Sequence, residues 1–148
     1  MYKRILVGID GSEPSIKALK KALSLAKGWN AKLYGLYVIN PGIYGASVVD
    51  PSMGVVDPSS ERIFNMLRDE GWQIIEEAKK IALEEGAGGD FDMKFGDARD
   101  EMLDYAEKTS ADLIIVGSTG KGMAKRLLLG SVSSAIVSHS KVSVLVVR

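Results

Sequence analysis

The chain has 148 residues, 46% of them hydrophobic, enough for one domain that buries roughly two-thirds of its unfolded surface without disulfide or metal. Lysine plus arginine balances aspartate plus glutamate at 19 each, so no global field selects nucleic acid or an acidic membrane. The absence of cysteine excludes thiolate nucleophiles, thiolate metal sites and disulfide scaffolds.

The opening "MYKRILVGID" enters a short apolar run directly, without a signal peptide's long apolar segment, and no run reaches membrane-spanning length. A soluble, cytoplasmic protein is the expectation. Ile5 to Ile9 reads as a strand buried on both faces. Ser12 then caps a helix in which Ile16, Leu19, Leu23 and Ala26 recur at three- and four-residue steps, Pro14 lies in the first turn and Gly28 marks the end. A second strand runs from Lys32 to Ile39.

The stretch from Pro41 to Ser60 holds three of the four prolines and no sustained period, which predicts a long loop. Helical spacing resumes at Glu61 through Ile63, Leu67, Ile74, Ala78 and Ile81, and the "GAGG" from Gly86 closes it. "DFDMKFG" alternates strictly, with Phe91, Met93 and Phe95 on one face, as an edge strand does. "DEMLDYAEKTS" predicts a third helix, "DLIIVG" a fourth strand, "GSVSSAIVSHS" a fourth helix and "VSVLVV" a fifth strand. Strand and helix alternating along one chain predict an α/β fold, Rossmann-like or flavodoxin-like, with a doubly wound parallel sheet between two helical layers. No repeat or second domain is visible, so residues 1–148 read as a single domain.

In such folds ligands sit at the carboxyl ends of the strands, where strand order reverses. Two loops qualify: "GIDGSEPS" after the first strand and "GSTGKGMAKRLLLGSVSS" after the fourth. The second gathers Gly117, Gly120, Gly122 and Gly130 with basic and hydroxyl side chains. Gly117 and Gly120 let the chain leave the strand in a nest of N–H groups, and Gly130-Ser131 starts a helix whose free amides and dipole suit phosphate. The Walker pattern fails, because Gly122 is followed by Met123 and Ala124 rather than lysine and a hydroxyl residue. The Gly-x-Gly-x-x-Gly fingerprint is missing after the first strand.

"ILVGIDGSEPS", "ADLIIVGSTGKG", "LLLGSVSSAIV" and "VSVLVVR", with the spacing Gly117-x2-Gly120-x9-Gly130-Ser131, resemble the ATP-binding branch of the universal stress proteins over nearly the whole chain. The resemblance implies a five-stranded parallel sheet of order 3-2-1-4-5, a homodimer paired through the C-terminal strand, and ATP or another adenine nucleotide near the ends of strands one and four, with Mg2+ arriving on the phosphates. Carried over residue by residue, Gly8 and Asp10 border the nucleoside and the backbone of Val38 meets the adenine. Gly117, Ser118, Thr119, Gly120, Lys121, Gly122 and Met123, with Gly130, Ser131, Val132 and Ser133, hold ribose and phosphates. Thr119 and Lys121 stand where the family more often has histidine and arginine. The family offers no agreed catalytic residue, and the resemblance implies a protein that binds ATP as a sensor or switch in stress response; a surface changed by ATP and read by a protein partner is the expectation for this chain.

Each of these residues also has a plainer reading. Asp10 suits a helix cap, Ser131 and Ser133 suit the cap of the fourth helix, and Lys121, Lys125 and Arg126 suit a solvated loop. His139 lacks a nearby acid and nucleophile, and Asp90, Asp92, Asp97 and Asp100 fall on an alternating strand and a helix start, so neither a catalytic centre nor a protein metal cage is expected. No nucleic-acid module emerges from the scattered aromatics. A nucleotide-binding regulator with little intrinsic ATP hydrolysis is the leading reading. An ATP-hydrolysing relative of the ATP pyrophosphatases, whose Ser-Gly-Gly-x-Asp-Ser pattern "GIDGSEPS" does not meet, and a dimeric scaffold with a vestigial pocket are the alternatives.

Overall fold

A computed structural model describes residues 1–44, 58–119 and 129–148. The elements follow in the order β1 (Arg4–Ile9), α1 (Glu13–Trp29), β2 (Lys32–Ile39), a 3-10 turn (Pro41–Tyr44), α2 (Pro58–Glu84), β3 (Asp90–Phe95), α3 (Ala98–Thr109), β4 (Leu113–Gly117), α4 (Ser131–His139) and β5 (Ser143–Val147). All five strands are parallel, in the order β3-β2-β1-β4-β5. The chain winds outward from β1 to β2 and β3, returns to the other side of β1 for β4, and ends on β5. The order therefore reverses between β1 and β4.

Period-two alternation sorts the strand residues between two helical layers. Ile5, Val7 and Ile9 of β1, with Leu113 and Ile115 of β4, pack against Leu19 and Leu23 of α1 and Ala78 and Ile81 of α2. The intervening Leu6, Ile114 and Val116 pack against Met102 and Ala106 of α3 and Ile136 of α4. Both faces of the central strands are covered, so Ile5, Leu6, Val7, Ile114 and Ile115 are fully buried. β3 is an edge, as its alternation predicts: Phe91, Met93 and Phe95 lean on the side of Ile75 and Leu67 of α2.

The element boundaries were largely legible, with instructive exceptions. Ser12 caps α1, its Oγ accepting from Ser15 N at 3.3 Å. The helix does not stop at Gly28. It continues to Trp29, and Asn30 takes the left-handed position at φ 52°, with Ala31 N donating to Ala26 O at 2.8 Å. Asparagine tolerates this conformation because its short amide bonds locally, so glycine is not required. α2 begins at Pro58 rather than Glu61, and Pro41–Tyr44 form a turn within the stretch expected to be a loop. α3 starts at Ala98 with Asp97 as its cap, accepting from Asp100 N at 3.1 Å. Gly71 sits inside α2 because a Cβ there would run into the Met93 sulfur and come within 3.0 Å of Ile39. The glycine thus lets a long helix lie close on the β2–β3 half of the sheet.

A candidate nucleotide cleft at the strand switch point

The loops after β1 and β4 meet as strand order requires. Gly117 has no room for a side chain: a Cβ would stand 2.8 Å from the carbonyl carbon of Pro14 and 2.9 Å from its oxygen. The first turn of α1 is thereby pressed against the end of β4. Between them, and extending over the ends of β2 and α3, lies a cleft of about 320 Å3. That is within the range of small-molecule sites, roughly 300–1,000 Å3.

Asp10 is set at the cleft wall by a local network. Its N–H donates to Ser15 Oγ at 2.9 Å, and its Oδ1 accepts from Ser12 N at 2.8 Å and from Ser12 Oγ. Ser12 rather than Asp10 is the helix cap, and Asp10 orients the capping residue while lining the cleft. Gly11 completes the turn at φ 80°, a conformation that side chains rarely adopt, with the Ile74 side chain at 3.4 Å from where a Cβ would be.

On the opposite wall, the Ser118 carbonyl accepts from Gly130 N at 2.7 Å and from Ser133 Oγ at 2.9 Å, while Ser118 N donates to Val147 O at 2.8 Å. These bonds tie the end of β4 to the start of α4. Ser133 also lies 3.0 Å from Gly130 O, so its hydroxyl hydrogen is directed to backbone carbonyls and the side chain serves the loop. Gly130 caps α4 without a side-chain bond, at φ −65° and ψ 164°. That is ordinary extended backbone, so the conformation here does not itself require glycine. The first amides of α4, at Ser131, Val132 and Ser133, have no acceptor within the helix, and the positive end of its dipole faces the cleft these residues line.

Of the sequence candidates, Gly8, Asp10, Val38, Gly117, Thr119, Gly130, Ser131, Val132 and Ser133 line the cleft together. Ser118 does not; its backbone is engaged behind the wall. Gly120, Lys121, Gly122 and Met123 lie outside the described residues. Sequence reasoning missed Leu36, Asn40, Ala98, Met102 and Ile136, which also line the cleft. Leu36, Met102 and Ile136 carried only the apolar spacing of buried positions, and nothing local to Asn40 or Ala98 marked a cleft wall.

The remaining titratable groups sit elsewhere. His139 ends α4, at the opposite end of the helix from the cleft, with its Nδ1 2.9 Å from Ala135 O. Among the described residues no group of three or more His, Asp or Glu is placed to hold a metal ion. Tyr105 is pushed above its ordinary pKa by burial and then by the charges of Asp92 and Asp90, but it packs edge-on against Tyr34. For Asp112, desolvation raises the pKa, yet the amides of Lys3 and Arg4, each 2.9 Å from a carboxylate oxygen, hold it below the usual value. Asp112 pins the start of β1 to the start of β4, at the other end of the strands. No helix among the described residues is long and apolar enough to cross a membrane.

Known proteins agree with this architecture. The family model described as the universal stress protein family matches residues 1–148. A universal stress protein of Methanocaldococcus jannaschii is 36% identical over 149 residues, covering 100% of this chain and 83% of its own length. The universal stress protein YxiE of Bacillus subtilis is 36% identical over 148 residues, covering 100% of both chains. Among solved structures, the universal stress protein UspA from Lactobacillus plantarum superposes with a TM-score of 0.81 at 24% identity, over 99% of this chain and 98% of that one, a likeness of fold. A universal stress protein in complex with cAMP superposes with a TM-score of 0.70 at 28% identity, over 99% of this chain and 97% of that one. A family match along the whole length, joined to the parallel sheet of order 3-2-1-4-5, establishes that the chain belongs to the universal stress protein family.

Proposed function

We propose that this protein binds an adenine nucleotide, ATP in the first instance, in the cleft between the β1 and β4 loops, and acts as a nucleotide-dependent regulatory switch or sensor. The observation that carries the reading is the convergence on one cleft of the N-terminal amides of α4, which have no acceptor within the helix, the oriented carboxylate of Asp10 and the apolar wall at Val38. Amides at a helix N-terminus suit phosphate, a carboxylate suits ribose hydroxyls, and an apolar wall suits a base. Donor amides, an acceptor carboxylate and an apolar wall thus answer the three parts of the ligand in chemical kind. The likeness to a universal stress protein in complex with cAMP supports the same class of ligand. Mg2+ would arrive on the phosphates rather than in a protein cage.

In this reading residues 1–148 work as one domain in the cytoplasm, and the nucleotide orders a surface that a protein partner reads. Because neither glycine loop of the sequence holds a histidine or a cluster of carboxylates, the proposal is binding with little intrinsic hydrolysis. A homodimer paired through β5 is part of the proposal. β5 lies at the sheet edge with Val144 and Val146 half-buried on one face and Leu145 and Val147 on the other, leaving its outer backbone edge to a second copy.

Two measurements test this. Mass spectrometry of small molecules released from denatured, freshly purified protein is expected to find an adenine nucleotide, and calorimetric titration is expected to show ATP binding that Gly130→Val abolishes. Because the Gly130 backbone is ordinary, the valine variant is expected to keep most of its melting temperature. A parent protein that neither carries nor binds any adenine nucleotide overturns the reading in favour of a scaffold with a vestigial pocket.

A further inference from the structure

The cleft has two chemically different ends. At one, the N-terminal amides of α4 lie beside Gly117 and Thr119; at the other, between the end of β2 and the start of α3, the lining is Leu36, Val38, Ala98 and Met102. The one amide side chain at that end, Asn40, uses its Oδ1 to accept from Gly42 N at 3.0 Å. Met102 stands one turn into α3, is only 3% exposed, and packs with Leu36 and Val116 beneath the cleft. Its far end lies directly against β1: a Cβ on Gly8 would come 3.3 Å from Met102 Cε and 3.6 Å from Sδ. Gly8 thus leaves room for the thioether to lie under the strand end, and the pair sets how deep the apolar end is.

We infer that Met102 is the floor of the base slot and a specificity-determining residue, excluding purines that carry bulky substituents. This rests on the nucleotide reading above, since it is phosphate at α4 that directs the base to the apolar end. An unbranched thioether fills irregular space without polar demands, so it accepts a flat unsubstituted ring and occupies the volume that an added alkyl or aryl group needs. Shortening it opens that volume; one or two methylenes of fit in an apolar pocket change affinity by about tenfold or more.

The test is calorimetric titration of ATP, N6-benzyl-ATP and 2-methylthio-ATP into the parent, Met102→Ala and Met102→Leu, beside a melting curve for each. The parent is expected to prefer ATP. Met102→Ala is expected to reduce that preference by about tenfold for at least one analogue, while Met102→Leu, which conserves volume, keeps the parent's ratio. A merely structural methionine would change stability and leave the ratios alone. Should the alanine variant fail to fold, Met102→Val is held to the same criterion. Ratios unchanged for both analogues in a folded, ATP-binding variant overturn the inference; a parent that does not bind ATP overturns the nucleotide reading instead, and the two failures are distinct.

Discussion

Gly117 stands directly against the backbone of Pro14, with 2.8 Å between the position of a Cβ and the Pro14 carbonyl carbon. Two loops that are separated by more than half the chain are held in contact by the absence of one side chain. Gly117→Ala forces backbone apart rather than displacing a flexible side chain, and overpacking of this kind costs about 1–3 kcal/mol. The expected outcome is a lower melting temperature together with weakened ATP binding, because the gap opens the cleft wall. An alanine variant with the parent's melting temperature would show that the contact is not tight.

Ser133 gives a more selective prediction. Its hydroxyl reaches Ser118 O and Gly130 O, so Ser133→Ala removes a bond that closes the α4 wall without touching the helix amides. A loss of stability of about 1 kcal/mol is expected. Nucleotide affinity should fall only slightly, since the Ser133 amide is retained. Titration of ATP into the variant checks this; a complete loss of binding would mean that the side chain itself contacts the ligand.

Asp112 links pH to stability at the far end of the strands. Its pKa is lowered in the fold, because the amides of Lys3 and Arg4 outweigh desolvation. A depressed carboxyl contributes stability that is present above its unfolded pKa and is lost as pH falls through the folded value. Asp112→Asn should therefore melt lower than the parent at neutral pH, and the difference should shrink on acidification below the ordinary aspartate range, about pH 4. Melting curves at neutral and acid pH decide it, and a difference that does not depend on pH refutes the charge-assisted role.

Two helices end on a non-glycine residue in the left-handed conformation, Asn30 at φ 52° and Ser110 at φ 55°. The strain is greater for serine, whose side chain adapts less well there than asparagine's. Ser110→Gly is expected to raise stability by about 1 kcal/mol, and Asn30→Gly by less. Thermal or chaotrope unfolding measures both, with the reverse ranking as the contrary result.

The sequence by itself determined the order and type of the elements. Periods of 2 and 3.6 are local properties of the chain, and β1 and β4 are apolar on both faces because helices cover both sides of a parallel sheet. It also located both cleft loops, since glycine, hydroxyl residues and a following helix are visible within one short stretch. Only the tertiary structure decided what each residue there does. That Gly117 is needed for Pro14, that Ser133 closes a loop, that Ser118 faces away and that Met102 rather than a loop residue lies under Gly8 all depend on contacts through space. Residues such as Gly8 and Met102 are brought together by crossover connections and by packing between layers, and neither residue carries in its own neighbourhood any sign of the other. The end of α1 likewise came from the structure: the helix passes Gly28 to Trp29, which packs against Tyr2 with 5.5 Å between ring centroids, and closes on the left-handed Asn30.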